Sequence, residues 1–344
     1  MPEIDSSIAV VIPARNAAST LEAAIESIQG QTLSDFQILL VDHDSDDETH
    51  RIMLEFASSD PRIEVLQHRG TFVEAANFAW EKSHACLIAR MDADDVAHPA
   101  RLEKQREFLL KNPDIAACAT GVSILKRAAD GSPLPPDDGY ARYEKWVNSV
   151  VEPEQIAAER FVDSPMPNPS SMIRRSILEK HGGYADPEWA EDYDLWLRLL
   201  EAEETLGKVD EVLLNWFDGE NRSTRTIARY SLDQFQRSKA FYLARMAMVQ
   251  EKGVAICGAG PIGKQFALLL EERDIQIHCF YEVNQRQIGN KLRGIPVLDS
   301  AGMDHFQGKG TAIAAVGLPG ARQKIRDLAT ASGFIEGDDF FCVA

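Results

Sequence analysis

Between Ile8 and Asp95 one pattern repeats: a short apolar run, a polar turn, a helical stretch, then another apolar run. Ile8-Ala9-Val10-Val11-Ile12 is β-branched and apolar on both faces, as a strand buried in a parallel sheet must be. Phe36-Gln37-Ile38-Leu39-Leu40-Val41, Ile63 to Leu66 and Ala85 to Ala89 follow in the same style. Between them the periodicity predicts a helix carrying Leu21, Ala24, Ile25 and Ile28 inward, one from about Glu48 to Ser58, and one near Val73 to Lys82. Ser19 with Glu22 three residues on predicts a capping box for the first of these. Strands alternating with helices pair in parallel through right-handed crossovers, so the fold class is α/β.

Three of the strands end in loops with special chemistry: Pro13-Ala14-Arg15-Asn16, Asp42 to Asp47, and Asp92-Ala93-Asp94-Asp95. In a parallel sheet all three open on one edge, where α/β proteins bind their ligands. Clustered aspartates repel one another, so a fold keeps them only where water or a cation neutralises them. Oxygen ligands at this density suit Mg²⁺ or Mn²⁺ better than zinc. An Asp-x-Asp alone is more often a solvated turn, and it is the convergence of three loops that favours a cation site.

Pro99 stands at the first position of a helix running through Arg101-Leu102-Glu103 to Leu110. Ile115 to Ala119 and Val122 to Leu125 read as two further strands, and residues 128–139 as a surface excursion. Helices near Tyr143–Val150 and Pro153–Val162 precede a stiff segment, Ser164-Pro165-Met166-Pro167-Asn168-Pro169, and a strand Ser170–Ile173. A Gly182-Gly183-Tyr184 turn leads to Glu191-Asp192-Tyr193-Asp194-Leu195-Trp196. Carboxylates in a helix's first turn are favoured by its dipole, so helix-end decoration competes with a catalytic role there. Residues 211–217 form a last strand, and Ile227 to about Gln250 an amphipathic connector.

A second unit begins at Gly253. The strand Val254–Cys257 runs into Gly258-Ala259-Gly260-Pro261-Ile262-Gly263, a Gly-x-Gly-x-x-Gly turn ahead of a helix Gln265–Glu272. The next strand, Ile275 to Tyr281, ends at Glu282, near the ~20-residue spacing of a ribose-binding acid. Gly258, Gly260, Gly263 and Glu282 thus make a candidate ligand site. The remaining stretch is short for a six-stranded dinucleotide fold, so a structural or oligomerising role stands beside it. The expected domains are 1–225, a connector 226–252, and 253–344.

Composition excludes several function classes. Over 344 residues the formal net charge is −18, which opposes a nucleic-acid or anionic-membrane surface. The five cysteines are scattered through apolar runs and read as small buried hydrophobes. No apolar run approaches the roughly 18 residues of a membrane span, and Met1-Pro2-Glu3-Ile4-Asp5 has no signal-peptide character. The expectation is a cytoplasmic protein with no transmembrane segment, free to work peripherally at the inner membrane face and to form a homo-oligomer.

From Ile8 to Trp216 the chain resembles the family 2 glycosyltransferases of the GT-A fold. The resemblance rests on Val11-Ile12-Pro13-Ala14-Arg15-Asn16, Val41-Asp42-His43-Asp44-Ser45, Ala89-Arg90-Met91-Asp92-Ala93-Asp94-Asp95, Pro99-Ala100-Arg101-Leu102-Glu103 and Glu191-Asp192-Tyr193-Asp194-Leu195-Trp196. The second unit is similar, more loosely, to small Rossmann-like domains beside sugar-processing enzymes. The resemblance implies transfer of a sugar from a nucleotide-diphospho-sugar donor, with a lean to uridine, to a carbohydrate or lipid-linked acceptor hydroxyl, with inversion. It implies that Pro13, Ala14, Arg15 and Asp42 line the nucleotide pocket and that Arg90 belongs to the donor site. Asp92 and Asp94 match the metal-binding pair for Mn²⁺ or Mg²⁺, Asp192 matches the base, and Glu191 its neighbour. Arg15 stands where relatives often carry an aromatic residue, His43 where a second acid is common, and Asn168 where an acceptor-side histidine is common. Arg222 is a candidate phosphate contact.

A nucleotidyltransferase is disfavoured, because the loop after the first strand has neither glycine nor lysine to hold a triphosphate. A non-catalytic nucleotide-sugar sensor, and a bifunctional chain whose second domain binds NAD or a nucleotide sugar, remain as alternatives.

Overall fold

The computed structural model describes residues 7–128, 131–219, 227–318 and 320–344. Its elements begin with β1 (Ile8–Ala14), α1 (Leu21–Gln29), β2 (Gln37–Asp42), α2 (Thr49–Ser59), β3 (Ile63–Gln67), α3 (Phe72–Lys82) and β4 (Leu87–Arg90). There follow β5 (Val96–Ala97), α4 (Arg101–Lys111), β6 (Ile115–Arg127), β7 (Pro133–Leu134), α5 (Asp138–Ser149) and α6 (Pro153–Glu159). The series closes with β8 (Met172–Arg174), α7 (Arg175–His181), α8 (Glu191–Glu201) and β9 (Thr205–Phe217).

The chain divides into two compact units. The first comprises Met1–Pro153, Met166–Pro187 and Glu191–Thr226, the second Glu154–Pro165, Glu188–Ala190 and Ile227–Ala344. The helical stretch after residue 226 therefore belongs to the second unit, and so do two earlier segments. Within that unit Lys239 Nζ donates to Val162 O (2.7 Å) and Val343 O (3.2 Å), and Phe161 meets Phe341 edge to face.

In the first unit, among the described residues, nine strands form one sheet in the order β3-β2-β1-β4-β8-β6-β9-β5, with β7 paired to β6. β3, β2, β1 and β4 are parallel, as the strand–helix alternation requires. β8 runs antiparallel to both β4 and β6. β1 is buried along its whole length, and Ile8, Val10 and Ile12 share a core with Ile25 and Ile28 of α1.

Local details depart from the sequence reading. The capping box does not form at Ser19: α1 starts at Leu21, its N-cap is Thr20, and no side chain caps it. The box closes on α3 instead, where Thr71 N donates to Glu74 Oε2 (2.6 Å) and Glu74 N to Thr71 Oγ1 (3.2 Å). The two strands expected at 115–125 are one strand, β6, whose pairing with β9 shifts register on both sides of Gly121. A Cβ there would sit 3.0 Å from Glu211 O, so glycine permits the shift. The connector is not one helix: after the turn Ala228–Tyr230 it runs Leu232–Arg245 and Ala247–Lys252, broken at Met246.

One buried cation in this unit has a stability consequence. Lys208 is 3% exposed, its Nζ donates to Val147 O, and burial pushes its pKa down to about 7. The unfolded chain then binds the extra proton between about pH 7 and the ordinary lysine value near ~10.4. Stability rises with pH across that window and is lowest below it. Lys208→Met is expected to flatten this rise and to hold or raise the melting temperature. Thermal melts on either side of the window check it; equal slopes in both proteins would refute the assignment.

The second unit holds a six-stranded sheet, β12 (Lys291–Leu292), β13 (Ile295–Asp299), β11 (Ile277–Glu282), β10 (Val254–Cys257), β14 (Thr311–Ala314) and β15 (Phe340–Cys342), in that spatial order. All neighbours are parallel except β12 and β13. The helix Pro261–Glu271 follows β10, and Ala321–Ala331 follows β14. The five parallel strands have the order of a Rossmann half extended by two strands. Among the described residues no helix is long and apolar enough to cross a membrane.

Candidate active site

β2, β1 and β4 are adjacent and parallel, with Ala14 opposite Asp42 and Val11 opposite Arg90. The three predicted loops therefore leave one edge of the sheet together. Pro13 and Ala14 are buried at the strand end and Arg15 is exposed beyond them. The first two loops are stitched to each other. Asn16 N donates to Ser45 Oγ (3.1 Å), Asp46 N to Asn16 Oδ1 (2.9 Å), and Ala17 N to Thr49 Oγ1 (2.8 Å). Asn16 and Asp44 take left-handed backbone, at φ 52° and 58°, which short polar side chains tolerate.

Asp42 is buried, and its carboxylate is oriented from two sides. Ser45 N donates to Oδ1 (3.1 Å), and His50 Nδ1 lies 3.1 Å from Oδ2. His50 is a neighbour of Asp42 that the sequence did not flag, since it comes from the start of α2. His43 is buried with Nδ1 unpartnered. Burial, then the charges of Arg15 and His68, hold its pKa below the usual histidine value, so the ring is neutral near pH 7.

Asp92, Asp94 and Asp95 bring carboxylate oxygens within 4.8 Å of one another. They differ in environment. Asp95 is fully buried, and its Oδ1 accepts from Phe217 N at 2.9 Å, pinning the end of β9 to the acid loop. Asp92 and Asp94 are half-buried at the edge and present hard oxygen donors that fit Mn²⁺ or Mg²⁺. The loop carrying Asp94 is held from outside, because Arg127 Nη2 donates to Asp94 O (2.8 Å) while its guanidinium lies 3.8 Å from the Phe217 ring centre. Arg90 does not face solvent. It is 3% exposed, donates to Asp92 Oδ1 (2.8 Å) and to Met91 O, and lies over Phe72. It is thus turned away from solvent and oriented onto Asp92.

Glu191 and Asp192 open α8, with Glu191 buried and Asp192 half-buried. Asp192 Oδ1 accepts from Tyr193 N at 2.7 Å. Burial, then the neighbouring Glu191 charge, raise the Asp192 pKa well above the carboxylate range, and Asp92 adds to the rise. Asp92 and Asp192 therefore sense each other's charge. Asp194 is buried, 3.3 Å from Arg198 Nε, and Trp196 is a core residue with no exposed surface.

Tyr184, which the sequence did not single out, is buried within reach of the charges of Arg90, Asp192, Glu191 and Asp92. Its hydroxyl donates to Asn168 Oδ1 (2.9 Å). Its backbone is clasped by Asn77, which donates to Tyr184 O (2.8 Å) and accepts from Tyr184 N (2.9 Å). Gly183 makes the approach possible: it takes φ 64°, and a Cβ there would lie 2.5 Å from Asn77 Oδ1. Gly183→Ala is expected to cost about 2 kcal/mol or more, from backbone strain plus the clash. A urea midpoint within error of wild type would refute this. Arg222 lies outside the described residues.

In the second unit the glycine turn has the expected logic. Gly258 takes φ 112°, and a Cβ on Gly263 would lie 1.9 Å from Gly258 O, whereas Gly260 faces open space. Glu282 is placed differently from a free ribose acid. Its carboxylate accepts from Ala259 N (3.0 Å), Val283 N (2.9 Å) and Asn284 N (3.1 Å), so it braces the glycine turn.

With this geometry in view, comparison with known proteins is specific. Residues 9–182 match the family model described as glycosyl transferase family 2. This chain belongs to glycosyl transferase family 2. Residues 249–333 match the model of a CoA binding domain, in keeping with a Rossmann-like second unit. The O-antigen biosynthesis glycosyltransferase WbnJ of Escherichia coli is 28% identical over 243 residues, which cover 67% of this chain and 90% of WbnJ. The Escherichia coli UDP-Glc:alpha-D-GlcNAc-diphosphoundecaprenol beta-1,3-glucosyltransferase WfgD is 34% identical over 110 residues, 31% of this chain and 43% of that one. Among solved structures, S. aureus TarS 1–349 in complex with UDP-GlcNAc matches with a TM-score of 0.53 at 14% identity, over 78% of this chain and 72% of that one. That likeness establishes the shared GT-A fold. The family 2 glycosyltransferase described here thus pairs a GT-A unit with a Rossmann-like one.

Proposed function

We propose that this glycosyltransferase is inverting and cation-dependent, moving a sugar from a UDP-sugar to an acceptor hydroxyl in cell-surface polysaccharide or glycoconjugate synthesis. The observation that carries the reading is the cluster of Asp92, Asp94 and Asp95 carboxylates, whose Asp92 charge reaches Asp192 and adds to its raised pKa. The names of WbnJ, an O-antigen enzyme, and WfgD, a user of UDP-glucose, support the setting and the donor.

Asp94 and Asp92 would hold the cation, and the chemistry it supplies when bound is neutralisation of the departing diphosphate. Arg90 keeps Asp92 in place. Asp42, fixed by His50 and Ser45, offers its carboxylate towards the nucleotide base beside Pro13, Ala14 and Arg15. Asp192 takes the acceptor hydroxyl proton as the acceptor oxygen bonds to the anomeric carbon. The bond from that carbon to the phosphate oxygen breaks, and the diphosphate leaves with the electron pair. A raised pKa makes Asp192 a stronger base for this task, and Glu191 supplies part of the rise. Attack from the side opposite the leaving group inverts the anomeric centre. NMR of the first-formed product is expected to show anomeric configuration opposite to the donor's; retention would remove Asp192 from the role of base.

A second reading concerns the Rossmann-like unit, supported by its CoA-binding family match and the open surface at Gly260. We propose that it binds a nucleotide-containing ligand at Gly258, Gly260 and Gly263, with Glu282 shaping the turn. Gly260→Asp should fold, having room for the side chain, yet place a repelling carboxylate at the helix N-terminus. CoA, NAD and UDP-glucose are expected to divide into one that raises the melting temperature of wild type but not of Gly260→Asp, and others that do neither. No shift with any of the three would count against the site.

A further inference from the structure

The motif Pro99-Ala100-Arg101-Leu102-Glu103 places a cation in the core of the first unit. Arg101 is fully buried, and among the described residues no carboxylate lies within ion-pair distance of it. Among the described residues its Nη1 has no hydrogen-bond partner. Burial pushes the guanidinium down to about 10, so it stays charged at neutral pH, and the charges of Asp95 and Asp92 offset part of that burial. A buried, unpaired guanidinium is destabilising, and an apolar residue of similar volume would serve the core better. Stability therefore does not account for Arg101.

Its contacts account for it. Arg101 Nη2 donates to Arg90 O, at the end of β4 where the acid loop starts. Its Nε donates to Gln105 Oε1 (3.1 Å), one turn further along α4 and also fully buried. Gln105 Nε2 in turn donates to Ser170 O (2.8 Å). Ser170 closes the short turn Asn168–Ser170, and its hydroxyl donates to Pro167 O (2.9 Å) and accepts from Thr120 N (3.2 Å). That turn carries Asn168, the partner of the Tyr184 hydroxyl. One chain of buried hydrogen bonds thus runs from the backbone beside Asp92 to the backbone beside Asn168.

We propose that Arg101 and Gln105 are a positioning pair, a strut that fixes the acid loop Arg90–Asp95 relative to the turn Asn168–Ser171 and gives the acids a permanent counter-charge. Arg101 orients the acid loop by the carbonyl it binds, and Gln105 ties α4 to the turn on the neighbouring strand, where Arg90 N also donates to Ser171 O (2.9 Å). The functional part of this inference rests on the cation-dependent UDP-sugar reading above, so its test separates the two.

The full-length protein is compared with Gln105→Met, Arg101→Met, Arg101→Lys and the double methionine variant. Hydrogen exchange without ligand is read at residues 90–95 and 168–171. Gln105→Met, which keeps volume and removes the bonds, is expected to speed exchange in both segments together while β1 and β2 stay protected. Calorimetry then follows binding of UDP with Mn²⁺. Each methionine variant is expected to weaken it roughly tenfold, with the double variant no worse than the poorer single, as for residues acting as one unit. Arg101→Lys keeps the charge without the fork and should recover part of the loss. A folded Gln105→Met with wild-type exchange at both segments overturns the strut, and so do additive losses in the double variant. Where Arg101→Met fails to fold, Gln105→Met and Arg101→Lys decide. Absence of Mn²⁺-dependent UDP binding in wild type would sink the donor reading, and the exchange data would then judge the strut by themselves.

Discussion

Asp94→Ala is expected to lower sugar transfer by on the order of 10³-fold while the protein stays folded, the scale of losing one principal stabiliser of developing charge. The structure explains why the two effects separate. Asp94 is half-buried at the sheet edge, and its backbone carbonyl, which the substitution keeps, is what Arg127 binds. Asp95 makes the contrasting case. Its carboxylate anchors Phe217 N inside the protein, so Asp95→Ala should cost stability as well as activity. Circular dichroism melts beside turnover assays distinguish the pair. An Asp94→Ala protein that keeps its wild-type rate would contradict the assignment of Asp94 to the diphosphate end.

Asp192→Asn is expected to reduce transfer by about 10²- to 10⁴-fold, the usual worth of a positioned base, while donor binding survives. The pH dependence gives a sharper signature. Burial and Glu191 raise the Asp192 pKa, and catalysis needs the deprotonated form. Hence kcat/KM rises with pH through that raised pKa and falls off on the acid side, above where an ordinary aspartate near ~3.9 would titrate. Glu191→Gln removes the nearest like charge and should move this acid limb to lower pH. A limb that stays in place, or transfer persisting in Asp192→Asn, would pass the role to another group, with Glu191 and Asp194 the first to test.

The sequence was most legible where function depends on what residue ends a strand. Parallel pairing of β1, β2 and β4 follows from apolar runs and helical spacing, and it forces Asp42 and Asp92 to one edge. What escaped the sequence are partners set by tertiary structure. Asn77 holds Tyr184 across 107 residues, and Asp95 caps Phe217 N across 122. No periodicity announces either contact. The resemblance puts Arg90 in the donor site, but the structure buries it against Asp92. The capping box pattern fits both Ser19–Glu22 and Thr71–Glu74, and only the second coincides with a helix start. Glu282 has the spacing of a ribose acid, yet three backbone amides occupy it.

The most direct test of the account is UDP release from a panel of UDP-sugars with Mn²⁺, with and without a chelator, read by mass spectrometry. The account predicts turnover of at least one donor, abolished by the chelator. Tight binding of a nucleotide sugar with no turnover of any donor would contradict it and leave a sensor in place of an enzyme.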